Sequence, residues 1–164
     1  SIRRFTGAPV PKETITELLR AAMWAPSACN AQPWHFVVVT DRATLDAIPD
    51  IHPYAEMTRE AAAGILVCAD TALEQSPGNW MVDCAAATQN LLLAAHAAGL
   101  GAVWTGIWPR EARCKTFQER FGLPESVIPL CWVPIGWPAE ERVVEDRFQP
   151  ERIHYGGWES GVGS

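Results

Sequence analysis

Apolar residues at Ile15, Leu18, Leu19, Ala22 and Met23 recur at the i, i+3, i+4, i+7, i+8 spacing of an amphipathic helix. The stripe predicts a helix over 11–24, ended by Pro26, because the residue before a proline is pushed out of the α region. Trp34–Val39 then runs apolar at every position except His35, which predicts a buried strand in the centre of its sheet. A short helix over Ala43–Ile48 follows, then an irregular piece, HPYAEMTRE. Gly64–Ala69, GILVCA, predicts a second buried strand, and TALEQSPGN a loop with a Pro77-Gly78 turn.

From Trp80 to Ala98 the pattern changes character. Alanine and leucine cover nearly every helical face, with Asp83, Gln89, Asn90 and His96 among the few polar residues. A helix apolar all round must be buried on several sides. In a chain of 164 residues a second subunit is the natural source of that burial. Gly99 suits a helix stop, and LGAVWTGI predicts a third strand over Leu100–Ile107. Pro109 opens a further predicted helix running to Phe121, with Gly122 as its stop. Ile128–Ile135 predicts a fourth strand, placed at an edge or a bend by Pro129 and Pro134. The stretch 137–158 has no period and is expected to wrap another surface, and 159–164 reads as a flexible tail. Helices and strands interspersed in this way predict an α+β fold, with 1–164 forming a single domain without internal repeats.

Charge and composition narrow the chemistry. A formal net charge of -6 argues against nucleic acid as the main partner, since phosphate binding needs a basic surface. No apolar run reaches membrane-spanning length, and no secretion signal precedes the first helix. Cysteines 29, 68, 84, 114 and 131 stand singly, which fits reduced thiols in a cytoplasm rather than disulfides or zinc. The four histidines lack metal-ligand spacing; His35 and His96 read as core or interface residues. No G-x-S-x-G elbow and no G-x-G-x-x-G loop occurs. Side chains alone assemble no catalyst, which points to chemistry carried by a bound cofactor. Eight tryptophans add surface for burial, for an interface or for stacking on a flat ligand. Arg3 and Arg4 at one end and Arg142, Arg147 and Arg152 at the other flank two loops of small residues, APSACNAQP and TGIWP. An anionic planar cofactor needs that combination: guanidinium groups for its phosphate and closely approaching backbone donors for its ring.

Four stretches, SIRRF, LLRAAMWAPSACNAQPWHF, DCAAATQNLLLAAHAAGLGAVWTGIWP and PIGWPAEERVVEDRFQPERIHY, resemble the FMN-dependent nitroreductase family in order and over nearly the whole chain. The Pro-Ser-x-x-Asn-x-Gln-Pro-Trp segment and the opening Ser-x-Arg carry most of the specificity. The resemblance implies a central, mostly antiparallel sheet flanked by helices, completed by an intertwined homodimer with FMN at the subunit interface. It places Ser1 and Arg3 on the flavin and Arg147 of EDRFQP at its phosphate. Pro26, Ser27, Ala28 and Asn30, with Gln32 beside them, would reach the cofactor from the other subunit. Trp104, Thr105 and Gly106 would run alongside the ring, with a backbone N–H there donating to flavin N5.

The implied activity is ping-pong oxidation of NADH or NADPH, with a nitroaromatic, a quinone or a similar small acceptor taking the electrons. Solvent supplies the protons in an open site, so no catalytic side chain is implied. Related branches carry out reductive dehalogenation or oxygen-dependent flavin destruction, and a separate alternative, from a different class, is a flavin-binding or regulatory dimer with little turnover. Two departures stand out. Relatives carry an arginine just before Ser-x-Arg, so the given sequence is expected to begin inside the motif, and Glu145 stands where some relatives carry a base. HPYAEM and TALEQSPGN are the segments available to cover the ring.

Overall fold

In the computed structural model, which describes residues 1–143 and 145–158, the Ile15–Ala22 stripe becomes the buried face of helix α1 (Lys12–Met23). Strand β1 (Trp34–Val39), helix α2 (Arg42–Ile51) and strand β2 (Ala63–Asp70) follow. Next come helix α3 (Trp80–Ala97), the short strands β3 (Gly101–Ala102) and β4 (Thr105–Gly106), helix α4 (Glu111–Phe121) and strand β5 (Val127–Gly136). The expectation of a flexible tail over 159–164 lies outside the described residues.

Every strand pair is antiparallel, in the order β1-β2-β5-β3, with β4 also paired to β5. Alternation along β2 divides the core into two. Ala63, Ile65, Val67 and Ala69 face α1 and α3, where Leu18, Ala22, Cys84, Ala87 and Leu91 complete one apolar cluster. Leu66 and Cys68 face α2 and α4, whose Leu45, Ile48, Cys114 and Phe117 complete the other with Trp132 of β5. The molecule is therefore a helix–sheet–helix sandwich, consistent with the α+β expectation.

Two strand placements differ from the sequence reading, and for related reasons. β1 is an edge strand, not a central one. Its apolar run reports that both faces are covered, since Trp34 joins one cluster and Val39 the other. It says nothing about whether both edges are paired. β5, expected at an edge, is central and pairs with β2, β3 and β4. Each of its prolines falls where the ladder is already interrupted, so the missing N–H costs no bond. Pro129 sits at a register shift between Val67 and Cys68 of β2. The register of β3 and β4 against β5 is continuous and places Val103, in the gap between those strands, opposite Pro134.

The predicted third strand is accordingly split in two by Val103 and Trp104. Helix α2 runs three residues beyond the predicted Ile48, carrying Pro49 inside it, with Asp41 capping its start by accepting from the Thr44 N–H at 2.8 Å. Helix α4 begins at Glu111, two residues after Pro109, and ends as expected at Gly122, whose φ of 60° is the left-handed stop. Among the described residues, no helix is long and apolar enough to cross a membrane.

Candidate active site

The two chain ends are brought together by backbone pairing. Ile2 N–H donates to the Ala102 carbonyl at 3.0 Å, on the outer edge of β3. Thr6 N–H donates to Trp137 O at 3.0 Å and Ala139 N–H to Arg4 O at 2.9 Å, so the opening segment lies between β3 and the chain leaving β5. Glu140 then locks the join. Its carboxylate accepts from the Arg3 and Arg4 backbone N–H groups and pairs with Arg142 at 3.4 Å. The Arg3 N–H first, and Arg142 after it, hold the Glu140 carboxyl below its ordinary range. In consequence Ser1, Arg3, Arg142, Val143, Glu145 and Arg147 line one cavity of about 640 Å³. Three guanidinium groups against one carboxylate leave it cationic.

Arg3 also lines a second cavity of about 400 Å³, shared with His52, Tyr54, Met57, Trp104, Thr105 and Gly106. Strand alternation fixes what this wall presents. Ile107 N–H donates to Leu130 O at 3.0 Å, so residues 107 and 105 face β5 with their backbone groups, and Gly106 turns its N–H and C=O away from β5. The Gly106 carbonyl accepts from Arg113 Nη1 at 2.8 Å. A Cβ on Gly106 would meet nothing closer than 3.9 Å, so the space above the peptide is open. Thr105 is tied beneath by its hydroxyl, which donates to Trp132 O at 2.7 Å.

His52, which lines the same cavity, is 1% exposed and lies where α2 ends. Its ring meets Tyr54 and Phe117 edge-on, with centroids 6.3 and 6.1 Å away. Neither ring nitrogen completes a hydrogen bond. Burial, and next the Arg113 charge, push the imidazole pKa down, against the nearby carbonyls of Gly106 and Thr105, which favour protonation. The ring is therefore neutral at pH 7. Arg113 also stacks over Tyr54, 5.7 Å from the ring centroid.

The loop from Pro26 to Gln32 is a separate feature. Cys29, Asn30 and Gln32 have φ values of 52°, 55° and 47°, and they are the three non-glycine residues with positive φ among those described. Left-handed backbone at such residues costs on the order of 1 kcal/mol each and persists where the surroundings dictate it. Here they do. Ser27 Oγ accepts from Gln32 N–H at 2.9 Å, Gln32 Nε2 donates to Asn30 Oδ1 at 2.9 Å, and Asp83 Oδ1 accepts from Ala28 N–H at 2.9 Å. Pro26, Cys29, Asn30 and Gln32 remain exposed. Gln32 borders a cleft on α1 with Leu19, Arg20, Met23 and Trp24.

Within one chain, then, the structure brings Ser1, Arg3 and Arg147 to one cavity and Arg3, Trp104, Thr105 and Gly106 to its neighbour. It places Pro26, Ser27, Ala28, Asn30 and Gln32 on neither. The sequence reading marked His52 only as the first residue of HPYAEM, whose His52, Tyr54 and Met57 line the second cavity, and gave no site role to Arg113 or Asp83. Asp83 carried the clearer signal of those two, a carboxylate on an otherwise apolar helix, whereas nothing local marked Arg113.

Comparison with known proteins decides the lineage. The sequence profile described as "Nitroreductase family" matches residues 1–63 and 51–137. The chain belongs to the nitroreductase family. A Methanothermobacter thermautotrophicus protein, provisionally named NADH dehydrogenase/NAD(P)H nitroreductase, is 49% identical over 158 residues, covering 96% of this chain and 83% of its own. A crystal structure of a provisionally assigned NADH oxidase from Clostridium acetobutylicum superposes with a TM-score of 0.92 at 42% identity, covering 96% of both chains. A nitroreductase-type protein from Desulfovibrio desulfuricans, solved in complex with FMN, matches with a TM-score of 0.84 at 31% identity, covering 96% of this chain and 92% of that one. The nitroreductase fold expected from the sequence is thus shown, and the chain is an oxidoreductase of that family.

Proposed function

We propose that this nitroreductase is a cytoplasmic, FMN-dependent NAD(P)H oxidoreductase that reduces nitroaromatic, quinone or similar small acceptors. The observation that carries the proposal is the pair of adjoining cavities with Arg3 as their common wall. The residues fit FMN on chemical grounds. Ser1, Arg3, Arg142 and Arg147 offer a hydroxyl and guanidinium groups to a phosphate, with Glu145 tempering their charge. The second cavity offers a flat ring an aromatic wall and a backbone N–H at Gly106 that is directed away from its own sheet. Held by these residues, FMN would supply two-electron redox chemistry between NADH or NADPH and a small acceptor, in ping-pong order and with solvent balancing the protons.

The working unit of this reading is a homodimer. Met23 of α1, Trp24 just after it, and Val82 and Leu93 of α3 are exposed, Trp24 to 81%, and a second copy would cover them. The same association would carry the strained Pro26–Gln32 loop to the partner's cavities, which its own chain does not let it reach. That supports Pro26, Ser27, Ala28, Asn30 and Gln32 as flavin neighbours in trans. The chain as one domain over 1–164 is part of the same proposal.

Arg3→Ala tests the shared wall. Losing a charge-assisted contact should raise the FMN dissociation constant by about tenfold or more, read by quenching of flavin fluorescence. An unchanged constant would remove Arg3 from the site.

A further inference from the structure

We propose that Glu140 and Glu60 are positioning residues for Arg3. By holding the backbone N–H groups of Arg3, Arg4 and Phe5 they set the register of the opening segment, so that Arg3 and not Arg4 stands between the two cavities. This rests on the flavin reading above, in which the Arg3 guanidinium meets the cofactor.

Three observations converge on it. First, strand pairing leaves part of the opening segment unserved, and carboxylates take its place. The Ile2 and Thr6 N–H groups donate to main-chain carbonyls, those of Ala102 and Trp137. The three donors between them go to side chains. Glu140 Oε1 accepts from Arg3 N–H at 2.5 Å and from Arg4 N–H at 3.2 Å, and Glu60 Oε2 accepts from Phe5 N–H at 3.3 Å. Bonds to an ionised acceptor are the stronger kind. The two carboxylates also come from distant parts of the chain, Glu60 just before β2 and Glu140 just after β5.

Second, packing admits one register. A Cβ on Gly101 would lie 2.6 Å from Ile2 Cγ2, and one on Gly136 would lie 3.0 Å from Phe5 Cδ1. These glycines are partners across β3 and β5, so Ile2 and Phe5 sit where the sheet carries no side chains. A slip by one residue would lift both off the glycines and bring Arg4 to the place of Arg3. Third, the same carboxylates sort the two arginines. Glu60 also accepts from Arg4 Nε at 3.3 Å, and Glu140 pairs with Arg142 at 3.4 Å. Among the described residues no carboxylate pairs with the Arg3 guanidinium, which lines both cavities, whereas Arg4 lines neither.

A double-mutant cycle separates this role from a general loss of stability. Full-length protein carrying Glu140→Ala, Arg3→Ala or both is titrated with FMN, and the Arg3 and Arg4 ¹⁵N–¹H cross-peaks are followed without flavin. Glu140→Ala should raise the FMN dissociation constant about tenfold in the wild-type background. In the Arg3→Ala background it should raise it by less than about threefold, because the group it positions is gone. Glu140→Gln, which keeps an acceptor, should bind FMN more tightly than Glu140→Ala, and Glu60→Ala should show the same dependence on Arg3. Both amide protons should move upfield in Glu140→Ala as their charged acceptor is lost. An FMN dissociation constant unchanged in Glu140→Ala, or raised as much without Arg3 as with it, would overturn the proposal. If Glu140→Ala fails to fold, the same cycle with Glu140→Gln and Glu60→Gln decides. Wild-type protein that takes up no FMN refutes the flavin reading instead. The cross-peaks then still test the two carboxylates, and Arg3 and Arg4 amides that stay in place in Glu140→Ala would rule them out as the holders of this segment.

Discussion

Gly64→Ala should cost the protein about 3 kcal/mol or more of stability and leave little of it soluble at 37 °C. An added Cβ would lie 1.9 Å from Cζ2 of Trp132 and 2.4 Å from Cη2, well inside any contact distance. The ring cannot step aside. It is fully buried, stacks on Phe121 with centroids 6.1 Å apart, and its Nε1 donates to Thr58 Oγ1 at 3.0 Å. Displacing it strains the core and strands two buried polar groups. The effect reaches the site, because Trp132 is the β5 residue opposite Thr105 and its carbonyl accepts the Thr105 hydroxyl. Urea denaturation measures the loss. Adding Trp132→Phe should restore part of it, since the smaller ring removes the clashing atoms, and the two changes should be strongly non-additive. A Gly64→Ala protein as stable as wild type would mean that the Trp132 ring lies elsewhere.

Asp83→Ala should loosen the Pro26–Gln32 loop and, with it, flavin binding. The carboxylate is buried, at 6% exposure, and accepts from Ala28 N–H. Hydrogen bonds to charged groups contribute about 1.5–3 kcal/mol, and this one holds a loop whose three left-handed residues would otherwise relax. At about 2–4 °C per kcal/mol for a chain of this size, melting should fall by roughly 4–8 °C. Bound FMN should weaken by about tenfold if the loop lies on the flavin of the partner subunit. Asp83→Asn, which keeps an acceptor, should behave far closer to wild type. An Asp83→Ala protein that melts lower but binds FMN as before would confine the loop to a structural role.

The sequence was most legible where one physical signal had one structural meaning. The α1 stripe became the buried face of α1, Gly122 became a left-handed helix stop, and GILVCA became the central β2. It was misleading where one signal had two. The apolar run of β1 came from cover on both faces, and the prolines of β5 fell at a bulge and at the β3–β4 gap. The all-round apolarity of α3 was legible as well: it buries Cys84, Ala87 and Leu91 yet leaves Val82 and Leu93 exposed. Site residues divided in the same way. Ser1, Arg3, Trp104, Thr105, Gly106 and Arg147 stood out through motif resemblance, and the structure gathers them at two adjoining cavities. Asp83 accepts from Ala28, 55 positions away, His52 packs on Phe117 of α4, and Arg113 reaches Gly106 on β4, contacts that no hydrophobic periodicity records.

The central claim is that this chain holds FMN and passes electrons through it from a nicotinamide. The most direct test is the visible absorbance of purified protein titrated with FMN, then anaerobically with NADH and NADPH in separate runs, then with a nitroaromatic or a quinone. Saturable FMN uptake, bleaching of the flavin band by at least one nicotinamide and its return on adding the acceptor are the predicted results. Colourless protein that takes up no added FMN, or bound FMN that neither nicotinamide bleaches, would contradict the account.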